Sequence, residues 1–278
     1  MQRFQIGAVT DVFSPDVAVA APAMRELGMT GAELRTLNGR GILEADEAEW
    51  KRAIDTLRDN HLEVVAIATP LLKCALKDWP AQSALAERAF GIAMSAGARI
   101  VRVFSGLRAA EPEKDFERLV DLLQDLADRA GRHGLTIAVE NDRACNIATA
   151  QEMAGALAAI DHSNLQVVWD PAAAYISGET PFPTGYQMLD AKRIALVHAK
   201  DCTLDGHMPV WEPIGKGDID WKGQIEALAE DGYEGFINLE TYWKGIRDCA
   251  RNLRLLTQSP AKQPAAPLTE PRPKGALK

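Results

Sequence analysis

The chain has 278 residues, 47% of them hydrophobic, with a formal net charge of −8. That length can bury one large core, and the acidic balance disfavours a nucleic-acid surface, which needs a basic stripe to displace counterions from phosphates. Cys74, Cys145, Cys202 and Cys249 are scattered without a CxxC pair, the start MQRFQIGAVTDVF lacks a signal-peptide pattern, and no run of about 18 apolar residues occurs, so we expect a cytoplasmic chain without disulfides, export or membrane insertion.

Eight short runs rich in Val, Ile, Leu and Phe follow one another: FQIGAV (4–9), GAELR (31–35), LEVVAIA (62–68), RIVRVF (99–104), LTIAVE (135–140), LQVVWD (165–170), RIALVHA (193–199) and GFINLE (235–240). Continuous apolar runs suit strands buried on both faces of a parallel sheet. Helix-like segments separate them, near 15–27, 46–60, 80–96, 112–130, 149–160, 183–191, 220–231 and 243–257. In 112–130, Phe116, Leu119, Leu123, Leu126 and Ala130 recur at helical spacing before the glycines at 131 and 134. Eight such units predict an α/β fold of the (β/α)₈ TIM-barrel type, with active-site groups at the carboxyl ends of the strands. An open doubly wound sheet is the competitor, but GAVTDVFSPD after the first strand carries no GxGxxG turn. We expect one barrel domain over 1–258, followed by a Pro-rich, disordered tail over 259–278.

Four metal-binding side chains stand at the ends of four successive predicted strands: Glu140, Asp170, His198 and Glu240. Their separations of 30, 28 and 42 residues each accommodate a strand, a helix and loops, so parallel neighbouring strands bring the four heads to one point. Taken singly, each acid could be an ordinary cap at a strand–helix junction. Taken together, three carboxylates and one imidazole suit a hard or borderline divalent ion, Mn²⁺ first and Mg²⁺ or Co²⁺ next, with no organic cofactor implied.

With GAELR, AVEN, VVWDP, LVHAKD, the IGKGDIDW loop and INLET in this order, the chain resembles the xylose-isomerase-like barrel superfamily over roughly 4–257, in particular its sugar phosphate isomerase/epimerase branch. That resemblance implies that Glu140, Asp170, His198 and Glu240 bind one divalent ion, and that Glu140 and Glu240 also face the substrate carbon that loses and regains a proton. Ketose 3-epimerases of this branch usually carry a histidine three residues after the metal-binding aspartate and an arginine six after the metal-binding histidine; here those positions are Ala173 and Leu204. The single strand-end histidine also departs from the histidine-rich endonuclease IV branch.

Around the quartet, alternation places Glu33 with Arg35, and His198 with Lys200, on one face of their strands. Glu33 and Arg35 could form a rim ion pair or bind sugar hydroxyls, and Lys200 could contact substrate or a carboxylate behind the metal ligands. We assign Glu33, Arg35, Arg102, Lys200 and His207 to substrate binding, His207 because the long 201–219 connection could act as a lid. Trp169 should pack outward, whereas Tyr175, Trp211 and Trp243 could form sugar-facing walls. The expected activity is a metal-dependent isomerase or epimerase of a ketose or keto-sugar working through an enediolate, with Glu140 and Glu240 as acid and base. The alternatives are a lyase or dehydratase expelling water or an aglycone from a keto-sugar or keto-cyclitol, and a sugar-binding barrel without turnover. The expected partner is a small sugar, with neither nucleic acid nor membrane, and a homo-oligomer is plausible from the resemblance.

Overall fold

Alternating apolar strands and amphipathic helices close into an eight-stranded parallel barrel in the computed structural model, which describes residues 4–258. The barrel strands are β1 (Gln5–Val9), β2 (Gly31–Leu34), β3 (Glu63–Ala68), β4 (Ile100–Val103), β5 (Thr136–Glu140), β6 (Leu165–Trp169), β7 (Ile194–Ala199) and β8 (Phe236–Leu239). Each pairs with its neighbour in chain order, and β8 returns to β1. The fold expected from the sequence is the observed one.

The helices of six or more residues are α1 (Val17–Glu26), α2 (Glu47–Asp59), α3 (Ala84–Ala96), α4 (Phe116–Gly131), α5 (Ala150–Ala159), α6 (Pro171–Ile176), α7 (Trp221–Glu230) and α8 (Ile246–Gln258). Capping boxes start α2 (Asp46 with Glu49) and α5 (Thr149 with Glu152), each satisfying exposed backbone N–H groups of the first turn. Leu119, Leu123, Leu126 and Ala130 of α4 are buried, as their spacing predicts, while Phe116 at its start stays partly exposed.

One helix lies elsewhere than expected. The stretch 183–191 forms only short turns, Pro181–Gly185 and Tyr186–Met188, because Pro181 and Pro183 offer no N–H and Phe182 holds extended backbone angles. The sixth connection instead places α6 directly after Asp170, with Pro171 in its first position. The Pro-rich 259–278 segment lies outside the described residues. Among the described residues, no helix is long and apolar enough to cross a membrane.

Side chains of successive strands fill the barrel interior. Val65, Ala66, Ala138, Val168, Leu196 and Phe236 form a separate apolar cluster that closes the bottom. Two residues along β5, β6, β7 and β8, the same strand faces carry Glu140, Asp170, His198 and Asn238. An apolar floor thus carries a polar layer at the carboxyl ends. Trp169, one residue from Asp170, faces the helical shell, fully buried, and its Nε1 donates to Gln224 Oε1 of α7 at 3.0 Å. Trp169→Ala is expected to lower stability by about 3–5 kcal/mol in denaturant unfolding, the usual range for emptying an aromatic core position.

Candidate metal centre

Local backbone chemistry aims one of the four strand-end residues, Asp170. Asp170 caps α6, its Oδ1 accepting the Ala173 N–H at 3.0 Å. Its Oδ2 stays buried and faces the barrel axis, with no well-aligned donor despite a 2.5 Å contact to Lys200 Nζ. Cap and inward-facing group are therefore two oxygens of one carboxylate. Asn141, next to Glu140, brackets the Asp170 peptide, accepting its N–H at 2.9 Å and donating to its C=O at 2.8 Å. Nothing in the sequence beyond the adjacent pair Glu140–Asn141 marks that role.

The quartet converges as the strand spacing anticipates. One ligand atom from each of Glu140, Asp170, His198 and Glu240 lies within 4.8 Å of all the others, and all four residues are buried. Oxygens and nitrogens bound to one ion at about 2.0–2.2 Å stand at most about 4.4 Å apart, so a few tenths of an ångström closes the cage. His198 Nδ1 lies 3.0 Å from Glu140 Oε1 and 3.3 Å from Glu240 Oε2, while Nε2 lies 2.9 Å from Glu33 Oε2. Both ring nitrogens thus face carboxylate oxygen. A neutral imidazole has one N–H, so a second positive group, a proton or a metal ion, belongs on the Nδ1 side.

Charge leads to the same conclusion. Asp11, Glu33, Glu140, Asp170 and Glu240 are five carboxylates in contact with three permanent cations, Arg35, Arg102 and Lys200, or with His198. With His198 neutral, as a metal ligand must be, two negative charges remain, which one divalent ion balances; without an ion, a protonated His198 offsets one of them. Burial pushes the Glu140 carboxyl up, but Arg102 and His198 outweigh it and hold it at about 2. Burial likewise acts on Glu240, where Lys200 and His198 prevail and hold it well below the usual range. At Asp170 burial wins over Lys200, and the group is pushed up to about 6, with Glu140 and Glu240 adding like-charge repulsion. All three are predominantly ionised at neutral pH, as a metal site requires.

Above the quartet opens a cavity of about 250 Å³, bordered by Glu140, Glu240, Lys200, Arg35, Arg102, Thr69, Lys73, Asp142, Phe104 and Tyr242. Asp170 and His198 lie beneath it. Lys200 Nζ bridges Asp170 Oδ2 and, at 2.8 Å, Glu240 Oε2. Arg35 is gripped by both oxygens of Asp11 at 2.6 and 3.0 Å and makes a close contact with Glu240 Oε1. Arg102 donates to the Thr69 C=O at 2.8 Å and approaches Glu140 Oε2 at 3.1 Å. A wider groove of about 580 Å³ between α4 and α5 lies away from these groups; its charged lining is the Arg108–Glu152 pair and Glu113.

Of the residues assigned to substrate binding, Arg35, Arg102 and Lys200 border the cavity and two do not. Glu33 is fully buried behind His198, because its position one layer below Arg35 places it inside the barrel. His207 sits exposed at the tip of an antiparallel hairpin, Asp201–Asp205 with Met208–Glu212, where Gly206 at φ +60° turns the chain outward. The aromatic walls also differ from expectation. Phe104 and Tyr242 line the cavity; Trp211 packs on Tyr242 with ring centroids 4.8 Å apart, and the Tyr175 hydroxyl donates to Asp218 at 2.6 Å. Alternation beyond Glu240 favours Tyr242 over Trp243 on the inner side, a signal present in the sequence. Lys73 and Asp142, paired at 2.8 Å, come from loops without such a signal.

Residues 21–263 match the family described as xylose isomerase-like TIM barrel. The chain belongs to this family. Among sequence relatives of this xylose isomerase-like barrel, inosose dehydratase from Bacillus licheniformis is 26% identical over 143 residues, 46% of this chain and 47% of the relative. The chain thus spans about half the length of the curated relatives it matches. D-allulose 3-epimerase from Methylomonas sp., solved with D-allulose, superposes with a TM-score of 0.72 at 19% identity, over 92% of this chain and 96% of that one. A xylose isomerase-like TIM barrel protein from Mycobacterium smegmatis, solved with magnesium, gives 0.71 at 18% identity over 87% of each chain. At those identities the structural likeness speaks for the fold.

Proposed function

We propose that this protein is a divalent-metal-dependent isomerase or epimerase of a ketose or keto-sugar, carried by a single barrel domain over 1–258 and acting by proton transfer through an enediolate. The observation that carries this reading is the pair Glu140 and Glu240: each borders the cavity, and each lies in contact with the same His198 nitrogen, from β5 on one side and from the end of β8 on the other. Glu140, Asp170, His198 and Glu240 would hold the ion, and their oxygen-rich, thiolate-free donor set fits Mn²⁺ best, with Mg²⁺ or Co²⁺ as alternatives. When bound, such an ion supplies the positive charge that polarises a substrate carbonyl.

Glu140 or Glu240 takes the proton from the carbon beside the carbonyl, and the other carboxylate returns one to the opposite face. Lys200 and Arg35, both on Glu240, hold that carboxylate in place and can donate hydrogen bonds to the oxygen on which negative charge grows. Phe104 and Tyr242 supply flat apolar walls suited to the C–H faces of a sugar ring. A neutral sugar suits this cavity better than a phosphorylated one, since Arg35, Arg102, Lys200 and Lys73 are each already paired with a carboxylate.

A dehydratase is the second reading, favoured by the similarity to inosose dehydratases. The same enediolate expels water when a hydroxyl lies β to the carbanion. Mass spectrometry of keto-sugars incubated in D₂O with metal-loaded protein separates the two. We expect gain of one deuteron without loss of atoms. Loss of water would transfer the assignment to the dehydratase, and absence of both across ketoses and keto-cyclitols would favour a sugar-binding barrel without turnover.

A further inference from the structure

Beneath the quartet, three side chains from strands on either side of β1 meet in a space closed to solvent. Glu33 of β2, His198 of β7 and Asn238 of β8 are all fully buried. Glu33 Oε2 lies 2.9 Å from His198 Nε2 and accepts from Asn238 Nδ2 at 2.9 Å. Neither Glu33 nor Asn238 borders the cavity, so neither can touch a substrate there. Register explains how they meet: Asn238 pairs with His198 on one side and with Gly7 of β1 on the other. A Cβ at position 7 would stand 2.2 Å from Asn238 Oδ1, so glycine there leaves the room that Asn238 occupies between β8 and β2.

We propose that Glu33, steadied by Asn238, is the positioning residue of the metal centre: it holds His198 with its proton on Nε2, leaving the Nδ1 lone pair facing Glu140 and Glu240 where the ion binds. A carboxylate only accepts hydrogen bonds, so Nε2, which faces Glu33, must be the donor; with an ion in place of the proton on Nδ1, the tautomer follows. Turning the imidazole over would present a C–H edge or an N–H to the ion. Asn238 matters because its amide restrains the same oxygen that His198 uses. Stability does not account for the arrangement, since Glu33 Oε1 and Asn238 Oδ1 are buried without a donor among the described residues, and an apolar pair would fill the space without that cost. The inference rests on the metal-site reading above and assigns Glu33 a role other than sugar contact.

Calorimetric titration of the full chain with Mn²⁺ alone, and the visible absorption of the Co²⁺-loaded form, test it in the wild type, Glu33→Ala, Glu33→Gln and Asn238→Ala. We expect Glu33→Ala to weaken metal binding by about 10–100-fold, the usual effect of removing a histidine's outer partner. The cobalt bands should shift with it. Glu33→Gln keeps a carbonyl acceptor for Nε2–H and should recover most of the affinity and the wild-type band positions, a rescue that a merely space-filling role would not produce. Asn238→Ala should fall between. Wild-type affinity and spectrum in Glu33→Ala would overturn the inference while leaving the metal site standing. Should that variant not fold, Asn238→Ala takes its place, and unchanged affinity and cobalt bands there overturn the inference equally. A wild type that binds neither ion would overturn the metal-site reading itself, and this inference with it.

Discussion

Glu240→Gln is expected to lower turnover and the exchange of solvent deuterium into substrate by about 10²–10⁴-fold, the range for loss of a positioned general acid or base. The amide keeps the size of the side chain and an oxygen for Lys200 or Arg35, both of which contact Glu240. What disappears is the negative charge that makes the carboxylate oxygen basic enough to take a proton. Glu240 is buried at the cavity wall, and Lys200 and His198 hold it ionised, so it is available as a base across the neutral range. Because the same residue belongs to the quartet, metal content must be measured in the variant by elemental analysis. Retained metal with lost exchange identifies the proton-transfer role; lost metal assigns the defect to binding, and unchanged turnover removes Glu240 from the chemistry.

His198→Ala is expected to reduce bound metal from about one ion per chain to a small fraction, since it removes the single nitrogen donor of the quartet. It also leaves Glu33 facing a void, with only Asn238 as a hydrogen-bonding neighbour. Removing one partner of a buried charged pair typically costs about 3–5 kcal/mol, so the metal-free variant should unfold at clearly lower denaturant concentration than the metal-free wild type. Full metal occupancy in this variant would exclude His198 from the ligand set. Normal stability with lost metal would mean that the Glu33 contact contributes little to the folded state.

The two positions differ in how openly the sequence announces them. Glu240 and His198 stand at the ends of apolar runs that can only be buried strands, and alternation alone places both inside the barrel. The same parity places Arg35 and Lys200 on the inner side, where they border the cavity. It places Glu33 inside as well, yet parity says nothing of depth. One layer lower than Arg35, the carboxylate meets His198 and Asn238 rather than a sugar, because the vertical offset between β2, β7 and β8 is set by how the barrel closes.

Loops were the least legible part. His207 shares a connection with Lys200 but is carried outward on a hairpin whose pairing, Asp201 with Glu212 through Asp205 with Met208, carries no strong apolar pattern of its own. The helix expected at 183–191 gives way to proline-bound turns, and a shorter one follows Asp170, which caps it with one oxygen while the other stays buried toward Lys200.

Strand order, barrel closure and the convergence of Glu140, Asp170, His198 and Glu240 were determined by the sequence alone, because burial and period-two alternation are local properties repeated in eight units. Only the tertiary structure decided which inner groups reach the cavity and which lie beneath it. That depends on register between strands distant in sequence and on where loops leave the rim. Both are settled by packing across the whole barrel rather than by any one segment.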